Sequence, residues 1–553
     1  MTDPALDQPQ LEDYDDIDDE ARFPHNNGEL YFVADKDSDL YNLRWHWHQR
    51  AYARSIRIRF DAPMYTSSGI SSEQLDDVLP LAVQLYPGYQ ETIYGVEGVI
   101  VSKRIFAPLD SYYDRSLLWM MEAQAEGDRL IQIRVEIDWG EPLEQRMVDG
   151  LLLAQKDPLE ARGAHNQRNA ESTRVFGAAE GRPDRVHFPT DSQAVLLYHV
   201  LVAGQVDLPL ILALSDVGEQ VAWNGFLVQR DISRAFKRSL NSWHEITHRG
   251  RLWSPDAQAN RTVQEAKIGA VQKLARFRSG YAPADKATNS VPELVELFDT
   301  FAPEKSRAVL DTLRRVSERT GGPLPAQLPT LPRGPVDVSH ADIPFAAAAY
   351  LESLHAHHQR LPNPEWLSTH QETVTTIANE LVTFVHALPV PADPEGAAPS
   401  VPDAARRALS AASALALTLN QIDDAARWAD VAAPVGRDQD TTPVDQPSNS
   451  EQTILKQLGI TTENGVLIIK KEWPPHWNWW ALLRLPYVTE ENEDEISLLW
   501  DGVTLHSTRP LTFDGPVEIQ SQVQPFGSEE HSFNLRFRLG TELYIPAFEK
   551  EVR

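Results

Sequence analysis

Three carboxylates in the middle of the chain, Asp337, Asp342 and Glu372, have the side-chain type and setting for proton transfer. Two carboxyls held at a fixed separation can serve as general acid and general base. Asp342 has a second reading as a solvated or helix-capping aspartate, because Asp ahead of an apolar helix accepts from the first free backbone N–H groups. His355, His357 and His358 form another cluster. On a helix, positions 355 and 358 share one side as metal ligands would, yet no acidic partner stands at a diagnostic spacing, and the expectation is a charged helix end with no metal. Arg44-Trp45-His46-Trp47-His48 alternates as a strand does, with tryptophans on one face and histidines on the other. The densest aromatic run is Trp473-Pro474-Pro475-His476-Trp477-Asn478-Trp479-Trp480. Trp477, Trp479 and Trp480 can stack on the C–H face of a sugar ring, or they can plug a joint between domains.

Composition narrows the classes. The chain has 553 residues, a formal charge of −29 and no cysteine. The acidic balance argues against nucleic acid, whose recognition draws on clustered Lys and Arg, and leaves a neutral or cationic ligand. Without cysteine there is no disulfide, thiolate metal site or cysteine nucleophile, which fits the cytoplasm. No stretch approaches the roughly 20 apolar residues of a membrane helix, and the acidic start, Met1-Thr2-Asp3-Pro4, lacks the basic flank of a signal peptide. Dinucleotide, P-loop, zinc-protease and serine-elbow motifs are missing, so no cofactor is expected. A protein partner or a homo-oligomer stays open.

The elements that must position these groups change texture along the chain. Residues 1–22 carry Asp13, Asp15, Asp16, Asp18, Asp19 and Glu20 and read as an acidic disordered tail. Residues 23–230 hold short β-branched and aromatic runs, such as Ser55–Phe60, Gly98–Phe106, Leu130–Ile137 and Ala194–Val202, and predict an antiparallel β-sandwich. A linker, 231–258, contains a helix through Trp243. Residues 259–433 take helical period: Val263, Ala266, Ala270, Val271, Leu274 and Phe277 make one stripe, Pro303 opens a helix that Gly321-Gly322 closes, and further helices start near Ala341, Trp366 and Asp403. Paired helices with short connections predict an α-hairpin array. A second linker, 434–450, leads to a small C-terminal β domain, 451–553, with strands expected at 465–470, 496–500, 517–523 and 532–539. The fold class is multidomain α+β.

The tract Val336-Asp337-Val338-Ser339-His340-Ala341-Asp342-Ile343-Pro344-Phe345, its alanine-rich helix and Asn363-Pro364-Glu365-Trp366-Leu367 resemble the Ser-x-Asp-Ala, apolar helix and Gly-Asp-x-x-Leu texture of bacterial glycogen debranching enzymes and related six-hairpin glycosidases. Ala404 to Trp428 resembles the late helix pair of that toroid, and Val101 to Pro108 with the strands after it resembles its N-terminal sandwich. The resemblance implies a carbohydrate-active protein that hydrolyses or binds glucan-type saccharides, with two toroid-mouth carboxylates as acid and base if it is active. The chain departs from the family's Trp-Met-Asp-Ala-like and Arg-x-Gly-x-x-Val-Glu-like segments, and Pro389 to Pro399 stands where they would fall. About six or seven helices are legible, so the expected toroid is abbreviated. The alternative is a noncatalytic relative serving as a sugar-binding or assembly subunit.

Overall fold

Apolar and polar residues alternate along the strands of the first half, so each strand has one face to bury and one to leave in water. Leu30, Phe32 and Ala34 point inward from Leu30–Ala34, and Ile131, Ile133, Val135 and Ile137 do so from Arg129–Asp138. The computed structural model describes residues 21–46, 50–61, 80–109, 115–156, 172–331, 342–387, 401–433, 476–488 and 493–500, shorter strands at 10–13, 64–66, 69–71, 460–463, 466–469, 505–507, 533–534 and 549–550, and single positions at 78, 336, 338, 339 and 458. The chain divides into two units, Met1–His244 and Glu245–Arg553.

In the first unit two antiparallel sheets share a core. One has nine strands, ordered Gln10–Asp13, Pro80–Tyr86, Tyr89–Val96, Val99–Phe106, Ser116–Ala125, Gln205–Ser215, Thr173–Ala178, Leu151–Gln155 and Glu144–Val148. The other has seven, ordered Arg185–Thr190, Gln193–Val202, Arg129–Asp138, Arg50–Asp61, Leu40–Trp45, Leu30–Ala34 and Phe23–Asn26. Phe32, Trp45, Ile58 and Ile133 from the smaller sheet pack with Val101, Trp119 and Leu212 from the larger one, as in a β-sandwich. Four residues of the acidic stretch expected to be a tail, Gln10–Asp13, form the outer strand of the larger sheet. Helix α1 (Glu219–Val228), which the residue pattern did not reveal, lays Ala222 and Phe226 in an apolar cluster with Leu118, Val175 and Ile211 of that sheet.

Helix α2 (Ile232–His248) fills much of the expected linker, and the rest of that linker supplies a strand, Arg251–Trp253. That strand pairs with Trp480–Val488, so the four-stranded C-terminal sheet takes an edge from before the helices. The helices of the second unit are α3 (Ala257–Lys273), α4 (Val291–Phe298), α5 (Pro303–Thr320), α6 (Ile343–Arg360), α7 (Pro364–Ser368), α8 (Gln371–Ala387), α9 (Val401–Thr418) and α10 (Ile422–Ala432). These eight, counted among the described residues, are fewer than a twelve-helix toroid holds. α9 packs against both α6 and α10.

Two expectations need correction. The first helix stops at Lys273, and Leu274–Phe277 turns into a hairpin with Gly280–Pro283, so Leu274 and Phe277 are strand residues. The helix expected near Trp366 is two pieces, α7 and α8. α5 matches its signals: Pro303 stands in the first turn, and Gly321 takes the left-handed conformation, φ 79°, that a C-terminal cap favours. Asp337, Trp473, the tract 388–400, the linker 434–450 and the strand expected at 517–523 lie outside the described residues, as does 532–539 apart from Phe533–Asn534. Among the described residues no helix is long and apolar enough to cross a membrane.

Candidate functional site

The polar centre of the second unit is built on α6. Tyr350, Ser353, Leu354 and His357 recur at three- and four-residue steps, so they share one helix face, and all four are buried. Asp299, just past the end of α4, faces His357: Oδ1 lies 2.7 Å from Nδ1, with both side chains almost completely buried. A carboxylate only accepts, so the His357 proton sits on Nδ1. Its Nε2 has no hydrogen-bond partner among the described residues. Trp366 of α7 stands edge-on to His357 at 5.2 Å between ring centroids and packs 4.5 Å from His370.

His370 makes a second pair. Its Nε2 lies 3.1 Å from Asp311 Oδ1 of α5 and its Nδ1 2.7 Å from the Tyr350 hydroxyl. The same reasoning has Nε2 donating to the carboxylate and Nδ1 accepting from the phenol, a neutral imidazole held at both ends. Burial pushes the His370 pKa down despite Asp311. Burial would raise Asp311, but the hydrogen bond from His370, the electrostatic pull of that ring and the Arg314 charge outweigh it and hold that carboxyl below its ordinary range. Burial also drives the Tyr350 phenol well above its usual value.

Two carboxylate–imidazole pairs thus tie the end of α4 to α6, and α5 through His370 to the start of α8. They orient protons, but Tyr350, His357 and His370 are sealed from solvent, and Asp311 is their half-exposed edge. Among the described residues no three metal-ligating side chains cluster. The expectation of a charged helix end at 355–358 is corrected here. His357 is committed to Asp299, His355 is lowered by burial, and His358 is lowered to about 4 by burial first and then by its two histidine neighbours. Buried imidazoles on an apolar face resist protonation.

The carboxylates singled out from sequence lie elsewhere. Asp342 precedes α6, half-buried; its backbone carbonyl accepts from Ala346, and its side chain makes no capping hydrogen bond. Glu372 is exposed in the first turn of α8. No hydrogen bond or ion pair joins these two among the described residues. Trp477, Trp479 and Trp480 are buried, and Trp477 and Trp480 pack with Leu252, Leu482, Leu485 and Trp500 in the core of the C-terminal sheet. Trp45 is buried in the sandwich, where its indole N–H donates to Glu29 at 3.1 Å, and His46 is lowered to about 4 by burial and then by Arg44; Trp47 and His48 lie outside the described residues.

Residue patterns missed Asp299, Asp311, Tyr350 and His370. The partners stand 58 and 59 residues apart, beyond any local periodicity. The usable signal was chemical: His370 just ahead of an amphipathic helix, and His357 on an apolar face.

No protein-family model matches the chain. No curated protein matches it either. Among solved structures it is similar to "Putative kojibiose phosphorylase from human microbiome", with a TM-score of 0.57 at 8% identity over 88% of this chain and 93% of that one. A GH92-family glycosyl hydrolase aligns at a TM-score of 0.38 and 10% identity, over 74% of this chain and 60% of that chain. A family GH92 α-mannosidase from Bacteroides thetaiotaomicron also aligns at 0.38 and 10%, over 73% and 62%. The first of these is a likeness of fold that extends through nearly the whole of both chains, and it stands on an N-terminal sandwich followed by a helical region and a small C-terminal sheet.

Proposed function

We propose that this chain is a carbohydrate-active protein of the glycosidase-like class that engages glucan-type saccharides. The observation that carries the reading is the fold likeness over 88% of the chain to a protein described as a sugar phosphorylase. The resemblance of the 336–345 and 363–367 tracts to six-hairpin glycosidases supports it from an independent direction. In the active form of this reading, Asp342 and either Asp337 or Glu372 supply acid and base without a cofactor.

A second reading, a noncatalytic sugar-binding or assembly subunit, has its own support. Glu372 is exposed on a helix, Asp342 has no carboxyl partner by hydrogen bond among the described residues, and the polar centre that does exist is sealed. One experiment separates the two. Full-length protein is incubated with mixed α- and β-linked gluco-oligosaccharides, with and without inorganic phosphate, and products are read by mass spectrometry beside Asp342→Asn. Loss of product in the variant assigns the active reading. No product from wild type at high protein concentration, together with retention on immobilised glucan, assigns the noncatalytic one; absence of both product and retention overturns the proposal.

A further inference from the structure

A sheet edge that carries neither charge nor proline is a ready template for another strand. The outer strands of the sandwich differ in this respect. Glu144–Val148 carries Glu144 and Arg146, Arg185–Thr190 carries Arg185 and Pro189, and Phe23–Asn26 carries Pro24. Pro80–Tyr86 reads Pro-Leu-Ala-Val-Gln-Leu-Tyr, without a charge. Its proline and its one register shift sit at the start, and Ala82 to Tyr86 run in unbroken register with Tyr89–Val96. On the other side it pairs with the four-residue strand Gln10–Asp13, whose partners are Ala82 to Leu85. Without Gln10–Asp13 it would be the edge of the nine-stranded sheet.

Beside the register shift the outer face of this sheet is apolar. Leu81 is 57% exposed and Ile100 is 48% exposed. Gly95 stands between them: it is the register partner of Ile100, and a Cβ on it would lie 3.1 Å from Leu81 Cδ1. Val83, on the core side, is buried with Ala21 and Phe23 against it, so the strand itself is held in place. The covering strand reads Gln-Leu-Glu-Asp, and acidic residues on an outer strand discourage further pairing. A ladder of four residues gains little beyond the cost of ordering them, which makes the cover the replaceable member of the pair. A second copy of the chain offers the same uncharged strand. Two such edges can pair antiparallel about a two-fold axis, each complementary to the other.

We infer that Gln10–Asp13 guards a self-association surface: with this strand displaced, Pro80–Tyr86 pairs with Pro80–Tyr86 of a second copy of the chain. The inference stands apart from the glucan reading and does not rest on it. The test is the mass of the full chain by light scattering after size exclusion, followed over a range of concentrations. The variant is Leu11→Pro with Glu12→Pro; adjacent prolines remove a ladder N–H whichever of the two residues donates to Pro80–Tyr86. Its mass is expected to rise to twice that of wild type as concentration increases. Adding Gln84→Lys to it sets like charges across the new pairing and is expected to restore the wild-type mass. Circular dichroism checks that each variant is folded. The chain has no cysteine, so Leu11→Cys with Gln84→Cys, which are register partners, reports where the covering strand sits without any proline. A disulfide within one chain is expected, and the oxidised form is expected to keep the lower mass. A wild-type mass in the folded proline variant, association that Gln84→Lys leaves intact, or a disulfide formed only between chains overturns the assignment.

Discussion

The turn Asp35–Asp39 of the sandwich and the polar centre of the helical unit bury polar groups in opposite ways. In the sandwich the turn Asp35–Asp39 is fastened by full charges: Arg59 reaches both oxygens of Asp39 at 2.9 and 2.7 Å, and the Lys103 ammonium donates to the Asp37 carbonyl at 2.6 Å over the Tyr94 ring. Gln90 adds a hydrogen bond to the Asp35 carbonyl at 2.7 Å. Burial pushes Lys103 down to about 8 despite Asp39, and pushes Asp39 up to about 6 despite Lys103 and Arg59. At the polar centre of the helical unit the donors to Asp299 and Asp311 are imidazoles, which can bond a carboxylate without carrying a charge of their own. The first arrangement resists loss of any one member, because a buried ion left alone is costly. The second costs less to build, and its His370 end responds to acid.

The sharpest way to break this comparison is Lys103→Met, which leaves Asp39 and the Asp37 carbonyl short of a cation inside the sandwich. A loss of about 3 to 5 kcal/mol is expected in urea unfolding; a loss below about 1 kcal/mol would show that the charges do not bear on stability. His357→Ala comes next. It strands Asp299 in the helical unit and is expected to cost about 2 to 3 kcal/mol by the same measurement, less than the lysine.

Acid then distinguishes the units. A folded His358 held at about 4 gives up stability as pH falls from the ordinary 6.5 toward 4, because the unfolded chain takes the proton first. His355 and His370, also lowered, act in the same sense. His25 and His46, each lowered to about 4, do likewise in the sandwich, but Asp39 opposes them: its folded pKa of about 6 exceeds 3.8, so proton uptake there favours folding as pH falls through that window. Hydrogen exchange read on peptides of each unit between pH 7 and pH 4 is expected to show the larger loss of protection in the helical unit. Equal losses would remove the distinction. The smallest effects belong to Glu372→Gln and Asp342→Asn, exposed and half-buried at helix starts, each within about 0.5 kcal/mol of wild type in thermal unfolding.

Much of the fold was legible because its signals are local. Alternation in Arg129–Asp138 and Gln193–Val202 and the Pro303 to Gly321 frame of α5 announce themselves within a dozen or so residues. Where a signal was ambiguous, packing decided: the stripe through Leu274 and Phe277 suits a helix or a hairpin, and pairing with Gly280–Pro283 chose the hairpin. α4, eight residues long, was too short for its period to stand out. The candidate site was much less legible. Asp342 and Glu372 have the right chemistry in a list of residues, yet a carboxylate's role depends on what faces it.

By itself the sequence determined the order of the elements, the acidic charge, the lack of thiol chemistry and the apolar faces that drive each unit to fold, because all of these are sums or periods along the chain. Only the tertiary structure decided that His357 meets Asp299, that His370 bridges Asp311 and Tyr350, that Lys103 closes on the turn at Asp37, and that Gln10–Asp13 covers the edge of Pro80–Tyr86. Most of those contacts join groups tens of residues apart, and the energy that selects them comes from excluding water around polar atoms, a condition that exists only once the elements have packed.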